Sequence, residues 1–484
     1  MKIERGKRGA MLLNIGAASV SRIGTSLLAF GLYWWLARRM PVAELGGFVF
    51  AMGLFNVLQV VPLLGRQQPF IREAATHPER LGELINEHWW FAWPIALAVS
   101  IGLLIYSRLV PQGTTAAVAG IIALALIPTA WIMVAECALL GRERMNIIAI
   151  ANLIEAAWRL FGGMLVLFFG GQLFEVMSVF LAGRCLIALY YLMVARLPVP
   201  CWLTPPSFAR WRLLCKSTPV YFMIIMLATL SARFDVLALS YLVSLPELGY
   251  YSAGAKIYEA LMMLPSLVAL VILPRLARIF TDNKPEFARL LSPIMRIIFA
   301  GGFGLAVIGA ASAPWVVGLL YAPGFASAAS VVKILLFAAV LATVDIVLSS
   351  AMIASNQQRQ DLICLGIGLA TFVLSMFVLV PLIGPVGAAV SLTLHTAVKV
   401  GYRIHWAGKV LMAQGLWPIF VRTTVAVIPA ACVVWLLTGI AWPVAAMLSF
   451  ITFFVSCMLL GVVKYADIAR LGAITHSLQR RSSR

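Results

Sequence analysis

Hydrophobic residues gather along this chain in long blocks, each closed off by a charge, a proline or a glycine. A bilayer core about 30 Å thick is crossed by roughly 20 apolar residues in helical geometry, and blocks of that length recur fourteen times. They cover residues 11–36, 43–64, 89–108, 115–139, 149–170, 173–195, 217–243, 249–273, 292–320, 326–353, 362–383, 386–406, 416–438 and 442–463. So many runs of this length do not fit a water-soluble core, and they predict an all-α polytopic membrane protein with about 14 transmembrane helices. The first block follows a basic head, MKIERGKR, as in a signal peptide. It runs on past Ala29 to Trp35 without an A-x-A site, which predicts an uncleaved first span.

The blocks also repeat. AELGGFVFAMGLF opens the second and PELGYYSAGAKIY the eighth, and each block ends in a proline followed by arginine, in QPFIRE at 68–73 and LPRLAR at 273–278. A second pair is LLGRERMNII between the fourth and fifth blocks and IASNQQRQDLI between the tenth and eleventh. Matches six spans apart have the same orientation, which predicts two parallel six-helix halves with the substrate path between them. The expected divisions are a first lobe over 1–205, a second over 206–408, and two additional helices with a basic tail over 409–484.

Charge orients the blocks. With the amino terminus in the cytoplasm, twenty-five Lys and Arg fall in cytoplasmic segments and three, Arg38, Arg39 and Arg108, fall outside. That bias predicts cytoplasmic termini and makes much of the formal +19 net charge topogenic rather than a nucleic-acid signal. Charged residues make up only 11% of the chain, against roughly 25% in soluble proteins. The seven cysteines lie in spans or on the cytoplasmic side and show no metal-ligand spacing. His77 and His88, in the segment between the second and third blocks, read as solvated loop residues. No connection is long enough for an enzyme domain, so the activity belongs among the helices.

Nine bases and five acids fall inside the predicted spans. A charge at mid-membrane costs roughly 2.5 to 3.5 kcal/mol, so most must face protein or water. Arg296 and Arg422 lie close enough to cytoplasmic ends to snorkel. Glu155 and Arg159 are spaced for an intrahelical pair, and Glu136 and Arg184 are further buried charges. Arg22 shares a helical stripe with Ser19, Thr25 and Ser26, predicted to line water. Ser391, His395, Lys399 and Tyr402 share another face. Arg233 and Asp235 point in different directions on the seventh span, and spacing alone does not say which is inward. Lys256 and Glu259 lie roughly 10 and 15 Å below the outer end of the eighth span, spaced either to neutralise each other or to place Lys256 on an anionic substrate. A cationic cavity between two halves of a bundle suits a lipid diphosphate, which Arg binds bidentately and Lys as a point charge.

The stretch RFDVLALSYLVSLPELGYYSAGAKIYEALMMLPSLVALVILPRLARIF, residues 233–280, resembles the polysaccharide or oligosaccharide flippases (Wzx type) of the MOP superfamily, which also holds the lipid II flippase and the MATE drug exporters. VPLIGPVGAAVSLTLHTAVKVGY at 380–402 is a weaker echo. The resemblance implies a V-shaped pair of six-helix lobes that alternate access and move an undecaprenyl-diphosphate-linked glycan to the outer leaflet. It implies headgroup binding by Arg22 and Lys256, with Arg233, Lys399, His395 and Arg184 as further cavity candidates. It also implies an H+ or Na+ gradient, with Asp235, Glu259 and Asp345 as coupling candidates, and neither a cofactor nor a bound metal. The expected partners are the lipid-linked oligosaccharide, membrane lipids, a glycan polymerase and export machinery, and the expected place is the bacterial inner membrane. A MATE-like cation exporter and a membrane glycan polymerase or ligase are the alternatives. The first would carry acids in its cavities, and the second a sizeable outer loop.

Overall fold

The structure is a computed structural model that describes residues 2–109, 114–194, 197–198, 205, 208–282, 284–355, 357–410, 416–437 and 442–462. Side chains of the first twenty residues, of 266–294 and of scattered positions elsewhere are outside the description. So are Arg196 and the basic tail from Lys464 onward, which entered the charge count above.

The described chain is helical apart from short connections. In order the helices are α1 (Lys2–Arg39), α2 (Val42–Leu58), α3 (Gln67–Thr76), α4 (Leu81–Leu109), α5 (Thr114–Gly141), α6 (Met145–Phe168), α7 (Leu173–Val194), α8 (Phe208–Leu242), α9 (Leu245–Asp282), α10 (Lys284–Leu320), α11 (Ala328–Ala354), α12 (Gln358–Ile383), α13 (Pro385–Val410), α14 (Leu416–Leu436) and α15 (Trp442–Leu459). Each predicted block overlaps one of them, although the second ends as helix at Leu58, six residues short of its predicted end, and among the described residues nine helices are long and apolar enough to cross a membrane. Backbone groups in hydrocarbon must be satisfied within the chain, so an apolar block of this length folds as a helix. Polar flanks are also helical: α9 and α10 extend well past the predicted ends, as do the starts of α4 and α8.

That extension corrects the reading of His88. Residues 81–88 continue α4 towards its amino terminus instead of forming loop, and they turn the imidazole onto Phe70 of α3, with ring centroids 4.0 Å apart. His88 is fully buried, its Nδ1 2.9 Å from the Leu84 carbonyl. His77, at the end of α3, does remain exposed. Two arginines counted as topogenic are buried as well. Arg66 is 3% exposed and donates to the Leu214 carbonyl at 3.2 Å, and Arg403 is 1% exposed inside α13.

By packing, the chain divides inside α9 into two compact units, Met1–Ser252 and Ala253–Arg484. In the first, α1 packs on α6, α5 on α4 and α7, α3 on α5, and α2 on α8. The core gathers Trp89, Trp131, Ile132 and Ala138 around the buried Tyr191. In the second unit, α13 packs on α11 and α12 while α14 and α15 pack on α10. Phe299 and Phe303 of α10, Leu348 of α11 and Phe453 of α15 share one apolar cluster, so the last two helices belong to this unit's core.

The two copies of the Glu-Leu-Gly repeat meet inside the first unit. A Cβ on Gly46 would strike the Leu245 carbonyl, and one on Gly249 would stand 2.6 Å from the Val42 carbonyl oxygen. The contact is reciprocal, residue for residue along the repeat, and only glycine leaves room for backbones to approach so closely. A third glycine of this segment, Gly53, faces Val236 of α8.

Candidate functional site

Two buried ionic clusters are built on corresponding helices of the repeat. In the first unit the cluster sits on α5, α6 and α7. Pro128 removes a backbone donor from α5. In the next position the Thr129 hydroxyl donates to the Ala125 carbonyl at 2.6 Å and accepts from Arg184 Nε at 3.1 Å. Arg184 Nη1 donates to both Glu155 oxygens, at 3.1 and 3.2 Å. Arg159, one helical turn beyond Glu155 on α6, pairs with the same carboxylate. The two guanidiniums lie over aromatic faces, Arg159 4.5 Å from the Phe180 centroid and Arg184 5.4 Å from that of Phe55. Glu136 of α5 accepts a hydrogen bond from the Tyr191 hydroxyl of α7 at 3.2 Å.

The second cluster sits on α11, α12 and α13. Lys399 Nζ donates to Asp345 Oδ2 at 2.9 Å, and Arg403, one turn further along α13, pairs with the other oxygen of Asp345. Arg403 also donates to Asp361 of α12, through Nη2 at 2.8 Å and Nε at 3.0 Å. Ser349 of α11 closes the group with a 3.1 Å hydrogen bond to Asp361, and Tyr402 donates to Gln360 at 2.9 Å. Gly368 of α12 leaves room for the Lys399 stem, since a Cβ there would stand 2.6 Å from Lys399 Cγ. His395 lies beside it against Phe372, with ring centroids 5.3 Å apart. The structure thus brings Lys399, His395 and Asp345 together, and it engages Lys399 with Asp345. It adds Arg403 and Asp361, which sequence reasoning missed although Arg403 continues the His395, Lys399 face by four residues.

The remaining candidates lie apart from these clusters. Arg22 is an exposed residue of α1. The Thr25 and Ser26 hydroxyls of its stripe donate back to the α1 backbone, at 2.8 Å to Ser21 and Arg22 carbonyls respectively, while Ser21 bonds the Ala149 carbonyl of α6 at 2.9 Å. Asp235 is half-buried and accepts from the Tyr251 hydroxyl at 2.8 Å, and Arg233 is half-buried on the same helix. In the second unit Lys256 Nζ lies 2.6 Å from Glu259 Oε2, a pair that is partly exposed. Among the described residues no group of His, Cys, Asp or Glu is arranged to hold a metal ion.

The second unit also holds an apolar cavity of about 600 Å³. Phe303 of α10, Phe337 of α11, Thr393 and Ala397 of α13, and Phe420 and Val427 of α14 line it. Its walls are hydrocarbon and ring faces, which suit an alkyl or isoprenoid chain.

Comparison with solved structures gives the fold. The chain resembles the lipid II flippase MurJ in an inward closed conformation, at 13% identity and a TM-score of 0.68, over 93% of this chain and 99% of that one. It resembles an inward-facing multidrug resistance MATE family transporter of the MOP superfamily at 13% identity and a TM-score of 0.61, over 82% of this chain and 98% of that one. A MOP superfamily transporter from Pyrococcus furiosus, described as having a binding pocket of reversed polarity, matches at 16% identity and a TM-score of 0.51, over 84% of this chain and 96% of that one. The fold is that of the MOP superfamily transporters. The polysaccharide biosynthesis protein family matches residues 11–280, more than half of the chain, and the chain belongs to that family. No curated protein matches it by sequence.

Proposed function

We propose that this transporter is a flippase that carries an undecaprenyl-diphosphate-linked oligosaccharide repeat unit from the cytoplasmic to the outer leaflet, for exopolysaccharide, capsule or O-antigen synthesis. The observation that carries the reading is the coincidence of polysaccharide-family membership with a fold shared with a lipid II flippase. The apolar cavity in the second unit offers a place for part of the polyprenyl chain, and Arg22 and Lys256 are the headgroup ligands. Arg233, Lys399, His395 and Arg184 remain the further cavity candidates. Engagement of Lys256 by Glu259, of Lys399 by Asp345 and of Arg184 by Glu155 means that each would have to exchange partners to bind an anion. An H+ or Na+ gradient supplies the driving force. On this reading both termini are cytoplasmic in a bacterial inner membrane, and a glycan polymerase takes the product.

A cation exporter needs carboxylates available to its substrate. Four acids of the described helices, Glu155, Glu259, Asp345 and Asp361, are ion-paired with the chain's own bases, which favours the flippase. Gene deletion tests the reading: intact lipid-linked repeat units should accumulate on the cytoplasmic leaflet. Accumulation of single units on the outer leaflet would instead mark a polymerase. Complementation with Arg22→Ala and with Lys256→Ala should each reduce export at normal protein level, and full export by both would remove them as headgroup ligands.

A further inference from the structure

We propose that the carboxyl-terminal end of α1 carries a binding site for the phosphate of a lipid, formed by Arg38 and Arg39 on the rings of Trp34 and Trp35. None of these residues is a headgroup ligand or cluster member named above, and only the site's placement on the outer side of the membrane rests on the flippase reading.

The sequence WWLARR closes α1. Positions four apart share a helix face, and each arginine lies over the tryptophan one turn earlier: Arg38 Cζ is 4.8 Å from the Trp34 centroid and Arg39 Cζ 5.0 Å from that of Trp35. Both arginines are exposed and both rings half-buried. A stacked guanidinium is engaged through its face, so the N–H groups in its plane still point outward as a rigid fork, the geometry that phosphate accepts bidentately. Arg39 has no ion pair among the described residues. The bases of the two buried clusters are held in the opposite way, each by a carboxylate in contact: Arg159 and Arg184 by Glu155, Lys399 and Arg403 by Asp345. A base positioned by a ring instead of an acid keeps its charge for an incoming anion. Arg38 and Arg39 are also two of the three bases that fall outside against the charge bias of the chain, so orienting the spans does not account for them.

Helix α6 gives the reason for a lipid. It runs beside α1 in the same direction: Ser21 bonds the Ala149 carbonyl, Gly24 faces Leu153, and Leu32 reaches Gly163. About two turns further, the same register brings Arg38 and Arg39 to the level of Phe168 and Phe169 at the end of α6. Those two rings are 75% and 77% exposed and pack edge to face, with centroids 5.6 Å apart. Guanidinium forks and bare aromatic surface at one depth match an amphiphile, with phosphate on the arginines and hydrocarbon against the phenylalanines. Tryptophan suits this depth, because its ring favours the boundary between hydrocarbon and water. Arg108, the third outer base, has no such platform, since the residue one turn before it is Leu104. The chemistry is that of a phosphorylated lipid, and two sources supply it: the diphosphate of a translocated carrier lipid, or a resident anionic phospholipid.

Native mass spectrometry of the purified full-length protein, with lipid titrated into the micelles, tests the site. The probes are undecaprenyl diphosphate and phosphatidylglycerol, with undecaprenol and diacylglycerol as their phosphate-free counterparts. The diphosphate arm is run in an Arg22→Ala, Lys256→Ala background, so that binding to those residues is not counted. Replacing Arg38 and Arg39 together by Ala should weaken binding of at least one phosphorylated lipid about ten-fold. Replacing both by Lys, which keeps the charge and loses the stacked fork, should give an intermediate affinity, and Arg108→Ala should bind as wild type. A loss confined to undecaprenyl diphosphate makes the carrier lipid the occupant, and a loss confined to phosphatidylglycerol makes it a resident phospholipid; either supports the site. Unchanged affinity for both phosphorylated lipids overturns it. So does an equal loss for the phosphate-free lipids, or a loss as large in Arg108→Ala. The experiment reads bound lipid and not transport, so the phosphatidylglycerol arm stands even where the flippase reading fails.

Discussion

Arg403 is a cation held at 1% exposure by two aspartates on two other helices. Burying such a group is favourable only while its partners remain, and removing one member of a buried pair typically costs about 3 to 5 kcal/mol. Arg403→Ala should therefore strip both Asp345 and Asp361 of charge compensation and lower the melting temperature of the purified protein sharply. Arg403→Lys should recover only part of the loss, because one ammonium cannot span both carboxylates as the guanidinium fork does. A melting temperature within a degree or two of wild type in Arg403→Ala would show that the cluster is not structural. Pairs of this kind define the limit of what the sequence discloses at residue scale. Glu155 with Arg159 and Lys256 with Glu259 were legible because helical spacing alone puts them in reach. Arg184 with Glu155 and Lys399 with Asp345 were not, since their partners lie 29 and 54 positions away and only packing brings the helices together. Arg403 was misplaced for a related reason: a basic residue near a predicted span end reads as topogenic until a neighbouring helix is seen to cover it.

Elements were far more legible, because hydrocarbon forces an apolar run of this length into a helix whatever its neighbours do. What the hydropathy pattern could not place was α3 and the first turns of α4, where polar residues outnumber apolar ones. Their helices are held by a few inward side chains, Phe70, Ala74 and His88, rather than by overall hydrophobicity. The repeat was visible as Glu-Leu-Gly, but its purpose as a mutual backbone contact was not. That contact makes a sharp prediction. Gly46→Ala and Gly249→Ala each drive a methyl into a carbonyl of the opposing segment and should reduce folded yield, by more than the ~1 to 3 kcal/mol of ordinary overpacking. Gly301→Ala and Gly366→Ala, which meet open space, should behave as wild type in the same size-exclusion and thermal assays. Equal behaviour of the four variants would mean that the Glu-Leu-Gly contact is not maintained in the membrane. The cavity of the second unit gives a prediction of another kind. Ala397→Trp should fill part of its about 600 Å³ and slow transport several-fold with little change in folded yield. Transport at the wild-type rate would remove the cavity from the substrate's path.

At the scale of the whole molecule, fold and family come from comparison, while the proposed cargo rests on chemistry that single residues supply. The fourteen-block pattern already excluded a soluble enzyme, and the basic surplus within spans pointed to an anionic cargo before any helix was placed. The most direct test is reconstitution of the purified protein into liposomes containing a fluorescent undecaprenyl-diphosphate oligosaccharide, with leaflet position read by a membrane-impermeant quencher. The account predicts that probe in the inner leaflet becomes accessible at a rate that rises with protein content, and that Arg22→Ala and Lys256→Ala slow the process. Accessibility that stays at the protein-free level, while an undecaprenyl-free cationic solute is transported instead, would contradict it.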